Sequence, residues 1–238
     1  MNSSALWSGG PRLYESEAAQ PLSTDSVLLA DFARPPVSAH GLDMGSGSGV
    51  LSVLLLWRSE RLRMTLCEIS PESAELSRQN LELNGLSCRA EVICGDLRRL
   101  TEAKNGRFDF IITNPPYFPL TGGRSPDSAR DERRVEVNCS LSELCAAAAS
   151  LLGQNGRLYI VYPASRTAEL ICRLSASRLE PKRMRLVQSK SGSAPSLVLI
   201  EASKLGKPGL TVEPTLMLSN PDGTDTEETK KIYHKGDE

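Results

Sequence analysis

The sequence predicts an α/β fold: a mostly parallel, seven-stranded sheet with helices on both faces and an antiparallel hairpin at its C-terminal edge. Three observations carry this. Short apolar runs alternate with helical segments from residue 24 to residue 178, the pattern of parallel strands joined by crossover helices. The last two runs, Lys182 to Gln188 and Ser196 to Ala202, are separated only by a turn containing Gly192, so they pair antiparallel. A glycine-rich turn, Gly45-Ser46-Gly47-Ser48-Gly49, joins the first run to the helix after it, a junction that brings backbone N–H groups to a ligand.

Each element has a local reason. Thr24-Asp25 starts a helix, and Arg34-Pro35-Pro36 ends it. The strand His40 to Met44 leads into the glycine turn, and a helix runs from Val50 to Arg58. After the strand Leu62 to Glu68, Ser70-Pro71-Glu72 reads as an N-cap followed by proline in the first helical turn. That helix closes at Asn84-Gly85. The strand Ala90 to Cys94 ends at Gly95-Asp96, and Phe108 to Thr113 forms the next one. Residues 118 to 138 make a polar, arginine-rich connection, longer than most loops. A helix from Leu141 to Leu152 is expected to end at Gly153, followed by a strand from Arg157 to Tyr162 and a helix from Ser165 to Arg178. Residues 1–20 show no clear period and read as partly irregular. Residues 1–218 read as one domain, and residues 219–238 as a polar, peripheral tail.

Composition narrows the function classes. The chain has 238 residues, 39% hydrophobic and 24% charged, as in a globular domain. Its net charge of -1 provides no global positive field, so any nucleic acid must be held by local patches. Six cysteines without a C-x-x-C pair read as small buried residues of a reduced cytoplasm rather than zinc ligands or disulfides. No metal site is expected. The polar start is unlike a secretory signal, and the most apolar run, Val50 to Trp57, is too short to span a membrane. A cytoplasmic protein is expected.

The most informative stretch is Asn114-Pro115-Pro116-Tyr117, at the end of the strand Phe108 to Thr113. Open α/β sheets keep their sites at such ends. The Asn side-chain carbonyl accepts from an N–H. The prolines stiffen the turn and extend the residues before them. Tyr117 offers a stacking face, at about 1–3 kcal/mol if the guest is a nucleobase. Together they suit a planar amide or amine. Upstream, Asp43-x-Gly45-x-Gly47-x-Gly49 lacks the G-x-G-x-x-G dinucleotide spacing. Glu68 and Asp96 end consecutive strands, where carboxylates can accept from a ligand's hydroxyl and amine groups. Ile69 and Leu97, beside them, can form apolar walls. Asp43 either meets an amino group of a ligand or orients the loop through backbone N–H groups. Two basic sets are candidates for contact with a polyanion: Arg124, Arg130, Arg133 and Arg134 after the Asn-Pro-Pro-Tyr turn, and Lys182, Arg183, Arg185 and Lys190 on the late hairpin.

The glycine spacing resembles the first motif of Rossmann-like, class I S-adenosylmethionine-dependent methyltransferases. Leu22-Ser23-Thr24-Asp25-Ser26-Val27-Leu28-Leu29, Glu68, Gly95-Asp96, Asn114-Pro115-Pro116-Tyr117-Phe118 and Ala129-Arg130-Asp131-Glu132 extend the resemblance to the tRNA(Val) adenine-N6 methyltransferase-like family. The resemblance implies S-adenosylmethionine as cofactor, held by Asp43, Gly45, Ser46, Gly47, Gly49, Glu68, Ile69, Asp96, Leu97 and Asn114. It implies methylation of adenine N6 in structured RNA, most simply tRNA, with no metal. Asn114 and Pro115 would hold the amine, Tyr117 would stack on the base, and Pro116 and Phe118 would complete the pocket. Rival readings keep the fold but change the acceptor, to a release-factor glutamine or an rRNA guanine amine, or lose catalysis and keep RNA binding. The short segment ahead of the glycine loop disfavours the glutamine enzymes, which carry a helical N-terminal domain. Tyr117 disfavours the guanine enzymes, and the intact motifs disfavour decay.

Overall fold

The computed structural model describes residues 2–14, 24–103, 106–116 and 140–235, with only the backbone of 101–103. Its core strands are β3 (His40–Met44), β4 (Arg63–Glu68), β5 (Ala90–Cys94), β6 (Phe108–Thr113), β7 (Leu152–Pro163), β8 (Leu179–Lys190) and β9 (Leu197–Lys204). They lie in the order β8-β9-β7-β6-β3-β4-β5. All pairs from β7 to β5 are parallel, and β9 is antiparallel to both of its neighbours. This is the expected mostly parallel sheet with a C-terminal antiparallel hairpin. Two short strands absent from the sequence reading, β10 (Thr211–Val212) and β11 (Leu216–Ser219), extend it along the free side of β8, for nine strands in all.

The helices are α1 (Thr24–Phe32), α2 (Val50–Arg58), α3 (Pro71–Leu83), α4 (Leu97–Ala103), α5 (Leu141–Leu151), α6 (Thr167–Ala176) and α7 (Glu227–Ile232). Strand alternation sorts the core into two layers. Phe110, Ile112, Tyr159 and Val161 face the cluster containing α1 and α2 residues, whereas Ile111, Leu158, Ile160 and Tyr162 face that of α5 and α6. Helix α2 is buried continuously from Val50 to Leu56 because it packs against α1 and α3 as well as the sheet.

Gly41 of β3 sits beneath the Phe110 ring, and a Cβ there would fall well inside van der Waals contact distance of Phe110 Cζ. Overpacking of this kind costs about 1–3 kcal/mol. Gly41→Ala should therefore lower the melting temperature by roughly 2–10 °C. A thermal melt matching that of the parent chain would show that Phe110 can move aside freely.

Several local readings need correction. The first residues hold two strands that the sequence reading did not name: β1 (Ser3–Ala5) and β2 (Arg12–Tyr14) form an antiparallel hairpin, with Leu13 buried. Three-residue strands are too short to show a period. Helix α5 stops at Leu151, and Leu152 is already extended, so Gly153 lies inside β7 rather than capping the helix. Helix α4 escaped the reading because its seven residues start with an apolar residue and two arginines. The segment expected as a peripheral tail contains α7, whose Ile232 is buried. Tyr233 packs against the core, and the His234 ring stacks on Trp7 at 4.2 Å. Among the described cysteines, Cys67 and Cys145 are buried, but Cys88, Cys94 and Cys172 are exposed. No described helix is long and apolar enough to cross a membrane.

Candidate active site

Parallel pairing of β6, β3, β4 and β5 aligns their C-terminal ends, and with them the motif residues. The chain leaves β3 toward β4 and β5, then returns to place β6 on the other side of β3. The crevice at such a reversal is where open α/β sheets bind ligands. Here it brings Asn114 beside the glycine loop. Thr113 Oγ1 ties the two strand ends together by donating to Met44 O at 2.8 Å.

The loop turns on three left-handed glycines, Gly45 (φ 71°), Gly47 (φ 54°) and Gly49 (φ 80°). The carbonyl of Cys67 accepts from Gly45 N–H (2.9 Å) and Ser46 N–H (3.2 Å). Space is open where a Cβ would stand at Gly45 and Gly47, whereas a Cβ at Gly49 would meet Leu66 and Ser77 at 3.2 Å. The open glycines let a ligand approach the backbone closely. Glu68, half-buried at the end of β4, accepts from Gly47 N–H (2.8 Å) and Ser70 N–H (2.9 Å). Its carboxylate thus braces the loop and keeps further lone pairs for hydroxyl donors. Burial pushes the neighbouring Cys67 thiol up to about 12, so it stays a neutral packing group.

Asp43 is fully buried. One of its oxygens accepts from the Ser52 N–H (3.2 Å) and hydroxyl (2.8 Å), pinning the first turn of α2. This resembles the orienting role expected of it, but the N–H belongs to α2 rather than to the glycine loop. Among the described residues, Asp43 Oδ1 and Ser46 Oγ are buried without a hydrogen-bond partner. Two orphaned polar atoms beneath a loop with open glycines fit a ligand carrying an amino acid's polar end. Burial pushes the Asp43 carboxyl up to about 7. Between its ordinary 3.8 and that value, the folded chain holds a proton that the unfolded chain has released. Its contribution to stability is therefore complete below about pH 4 and lost as the pH rises toward 7. Asp43→Asn should remove that dependence, worth a few kcal/mol at about 1.4 kcal/mol per pH unit. Urea denaturation at pH 4 and pH 7 tests this; an unchanged difference in the variant would mean that the carboxyl ionises normally.

Asp96 lies at the next strand end and has a second task. It caps α4 by accepting from Arg98 N–H at 2.9 Å, and its carboxylate also grips the Arg98 guanidinium through both oxygens. These bonds hold the carboxyl below its ordinary range. An adenine amine must use its outer lone pairs or displace Arg98. Of the two apolar residues nearby, Ile69 is 41% exposed and available as a wall, whereas Leu97 is partly sunk into the core.

Asn114 is half-buried, Pro115 buried and Pro116 exposed. The Asn114 amide donates from Nδ2 to Ser26 Oγ of α1 at 3.1 Å, a partner that is distant in the chain. Tyr117, Phe118, Arg124, Arg130, Arg133 and Arg134 lie outside the described residues. The late basic set is mostly committed within the fold. Arg183 is buried, lies 3.8 Å over the Phe32 ring, and pairs with Glu201 (3.0 Å) and Glu213 (3.1 Å). Arg185 grips both oxygens of Glu228 at 2.8 Å, and Lys182 donates to Lys207 O at 3.0 Å. Register also places the start of β8 level with Arg157 of β7, at the end of the sheet away from Asn114. Among these four, Arg185 is level with Asn114 through Leu199 and Val161 but lies three strands away in the sheet, and Lys190 lies beyond that level. Ser26, Ser77 and Asn80 touch the site's backbone or Asn114 and escaped the sequence reading. The available signal was polar Ser77 and Asn80 among the buried positions of α3.

Solved structures of similar architecture include proteins named as methyltransferases. A predicted O-methyltransferase from Agrobacterium tumefaciens superposes with a TM-score of 0.72, covering 89% of this chain and 96% of that one at 23% identity. The P. horikoshii protein TYW2, in complex with MeSAdo, gives a TM-score of 0.58 over 83% of this chain and 69% of that chain at 16% identity. The fold and the nature of its relatives define a Rossmann-like, class I S-adenosylmethionine-dependent methyltransferase. The family model described as methyltransferase small domain matches residues 20–178. The chain belongs to that family, among its tRNA(Val) adenine-N6 methyltransferase-like members. It is 32% identical over 189 residues to a tRNA1(Val) (adenine(37)-N6)-methyltransferase of Bacteroides fragilis, covering 79% of each chain. A Shewanella halifaxensis protein of the same name is 34% identical over 184 residues, 76% of this chain and 74% of the relative.

Proposed function

We propose that this methyltransferase modifies adenine N6 in structured RNA, with tRNA as the substrate class. The observation that carries this is the position of Asn114-Pro115-Pro116 beside the glycine loop at the β3/β6 reversal. The names of the relatives support the acceptor. When bound, S-adenosylmethionine supplies an electrophilic methyl carbon, and its C–S bond breaks as the new C–N bond forms, the electron pair going to sulfur.

The chain's part is binding and alignment. Glu68 accepts from the cofactor's ribose hydroxyls and Asp96 from its adenine amine, with Ile69 and Leu97 as walls. Gly45, Ser46, Gly47 and Gly49, with Asp43 beneath, receive its amino acid end. Asn114 Oδ1 and the Pro115 carbonyl accept from the acceptor amine and turn its lone pair toward the methyl group. The amine's surplus proton passes to water after transfer. Tyr117 stacks on the base, and Pro116 and Phe118 border it. Arg124, Arg130, Arg133 and Arg134 meet phosphates. Because this reaction makes no enzyme-bound covalent species, orientation and electrostatic complementarity supply the rate. Extrusion of the base from an RNA loop is required for such access.

The test is incubation of the full chain with radiolabelled S-adenosylmethionine and, separately, tRNA, total RNA and release factor, followed by nucleoside analysis. Label in N6-methyladenosine from tRNA is expected. Label in guanosine or in the protein fraction overturns the proposal.

A further inference from the structure

We propose that Ser77 and Asn80 of α3 are positioning residues for the cofactor loop, acting on its carbonyls. This rests on the reading that Gly45–Gly49 receives the cofactor. Ser77 Oγ donates to Gly47 O at 2.7 Å. Asn80 Nδ2 donates to Ser48 O at 2.9 Å, and Asn80 Oδ1 accepts from Tyr14 N–H of β2 at 2.8 Å. One partner of that amide is a carbonyl and the other an N–H, so its orientation has a single solution. Both side chains are fully buried.

The consequence for the ligand is geometric. In a trans peptide the C=O and the following N–H point in opposite directions. Holding Gly47 C=O against α3 therefore aims Ser48 N–H away from α3. Holding Ser48 C=O does the same for Gly49 N–H, which reaches Ser46 O at 2.8 Å. From β4, Glu68 takes Gly47 N–H, and Cys67 O takes those of Gly45 and Ser46. Carbonyls are gripped by α3 and N–H groups by β4, so the loop's peptide planes are set before the cofactor arrives. A preorganised loop loses less freedom on binding. Gly49 makes this possible, since a Cβ there would meet Ser77 Oγ at 3.2 Å.

The third polar residue of the seam supplies an internal control. Asn84 donates to Arg12 O (2.7 Å) and accepts from Arg12 N–H (2.8 Å), so it docks β2 without touching the loop. Ser77→Cys keeps the shape but is a weak donor, and Asn80→Leu removes both bonds. Each should raise the calorimetric Kd for S-adenosylhomocysteine by about tenfold, with the cofactor KM rising in step and the RNA KM unchanged. Asn84→Ala should lower thermal stability while leaving that Kd within about twofold. Measurements are made well below each variant's unfolding range. Kd values within about twofold of the parent in both Ser77→Cys and Asn80→Leu overturn the proposal. Glu68→Ala separates the two levels of argument. If it weakens binding and the α3 variants do not, the positioning role alone is wrong. If none of the three weakens it, the loop is not the cofactor's seat.

Discussion

Asn114→Ala should abolish methyl transfer, lowering kcat by about a hundredfold to a thousandfold, the range seen when one preorganised hydrogen-bonding group is removed from a reacting centre. An exocyclic amine is a weak nucleophile because its lone pair is delocalised into the ring. Two acceptors aimed at its N–H groups favour the geometry in which that pair is available, and alanine leaves only the Pro115 carbonyl. The Asn114 amide is anchored to Ser26 of α1, and Thr113 independently ties β6 to β3. Its removal therefore leaves the strand ends in register. Cofactor affinity should change by less than about fivefold, because the lost interaction is made to the acceptor. Single-turnover transfer to tRNA and calorimetric titration of the cofactor, on the same preparation, test both halves. Retained activity, or loss of cofactor binding alone, would show that Asn114 has been given the wrong task.

Glu68→Ala is expected to weaken cofactor binding by about a hundredfold, with a smaller effect on the transfer step once cofactor is saturating. Hydrogen bonds to a charged group contribute about 1.5–3 kcal/mol each, and Glu68 serves two sets of donors. It accepts from Gly47 N–H and Ser70 N–H within the fold, and its outer lone pairs suit the ribose diol. Alanine removes the ligand contact and releases the loop that must present its N–H groups. Glu68→Gln should fall between, since its single carbonyl oxygen can satisfy only one side. Equal affinity in all three proteins would move the ribose away from β4.

Much of the site was legible because it is written in local chemistry. The spacing of Asp43, Gly45, Gly47 and Gly49 marks a tight turn whichever strands surround it, and the three glycines do adopt left-handed φ. Glu68, Asp96 and Asn114 could be placed at strand ends because the strands read as short apolar runs. Arg183 shows the opposite case. Along the chain it belongs to a cationic run on a hairpin, a plausible phosphate contact. In the fold it is buried between Glu201, Glu213 and the Phe32 ring, and nothing within several residues of it announces those partners. Asp96 was legible as a strand-end acid but not as the cap of α4, whose seven residues give too weak a pattern to read. Ser77 and Asn80 look like ordinary polar positions of an amphipathic helix until the loop carbonyls they serve are set beside them.

By itself, the sequence determined the strands of the central α/β unit and its helices other than α4, the glycine turn and the set of strand ends bearing polar groups. Each of these follows from periodicity, capping or backbone permissiveness over a few residues. Only the tertiary structure decided that β6 returns to the far side of β3, so that Asn114 faces the glycine loop. It also decided that Ser26 anchors Asn114, that Arg98 occupies Asp96, and that α3 holds the loop's carbonyls while β4 holds its N–H groups. Those contacts join residues tens of positions apart, and their partners are chosen by strand order and packing, which a local pattern does not encode.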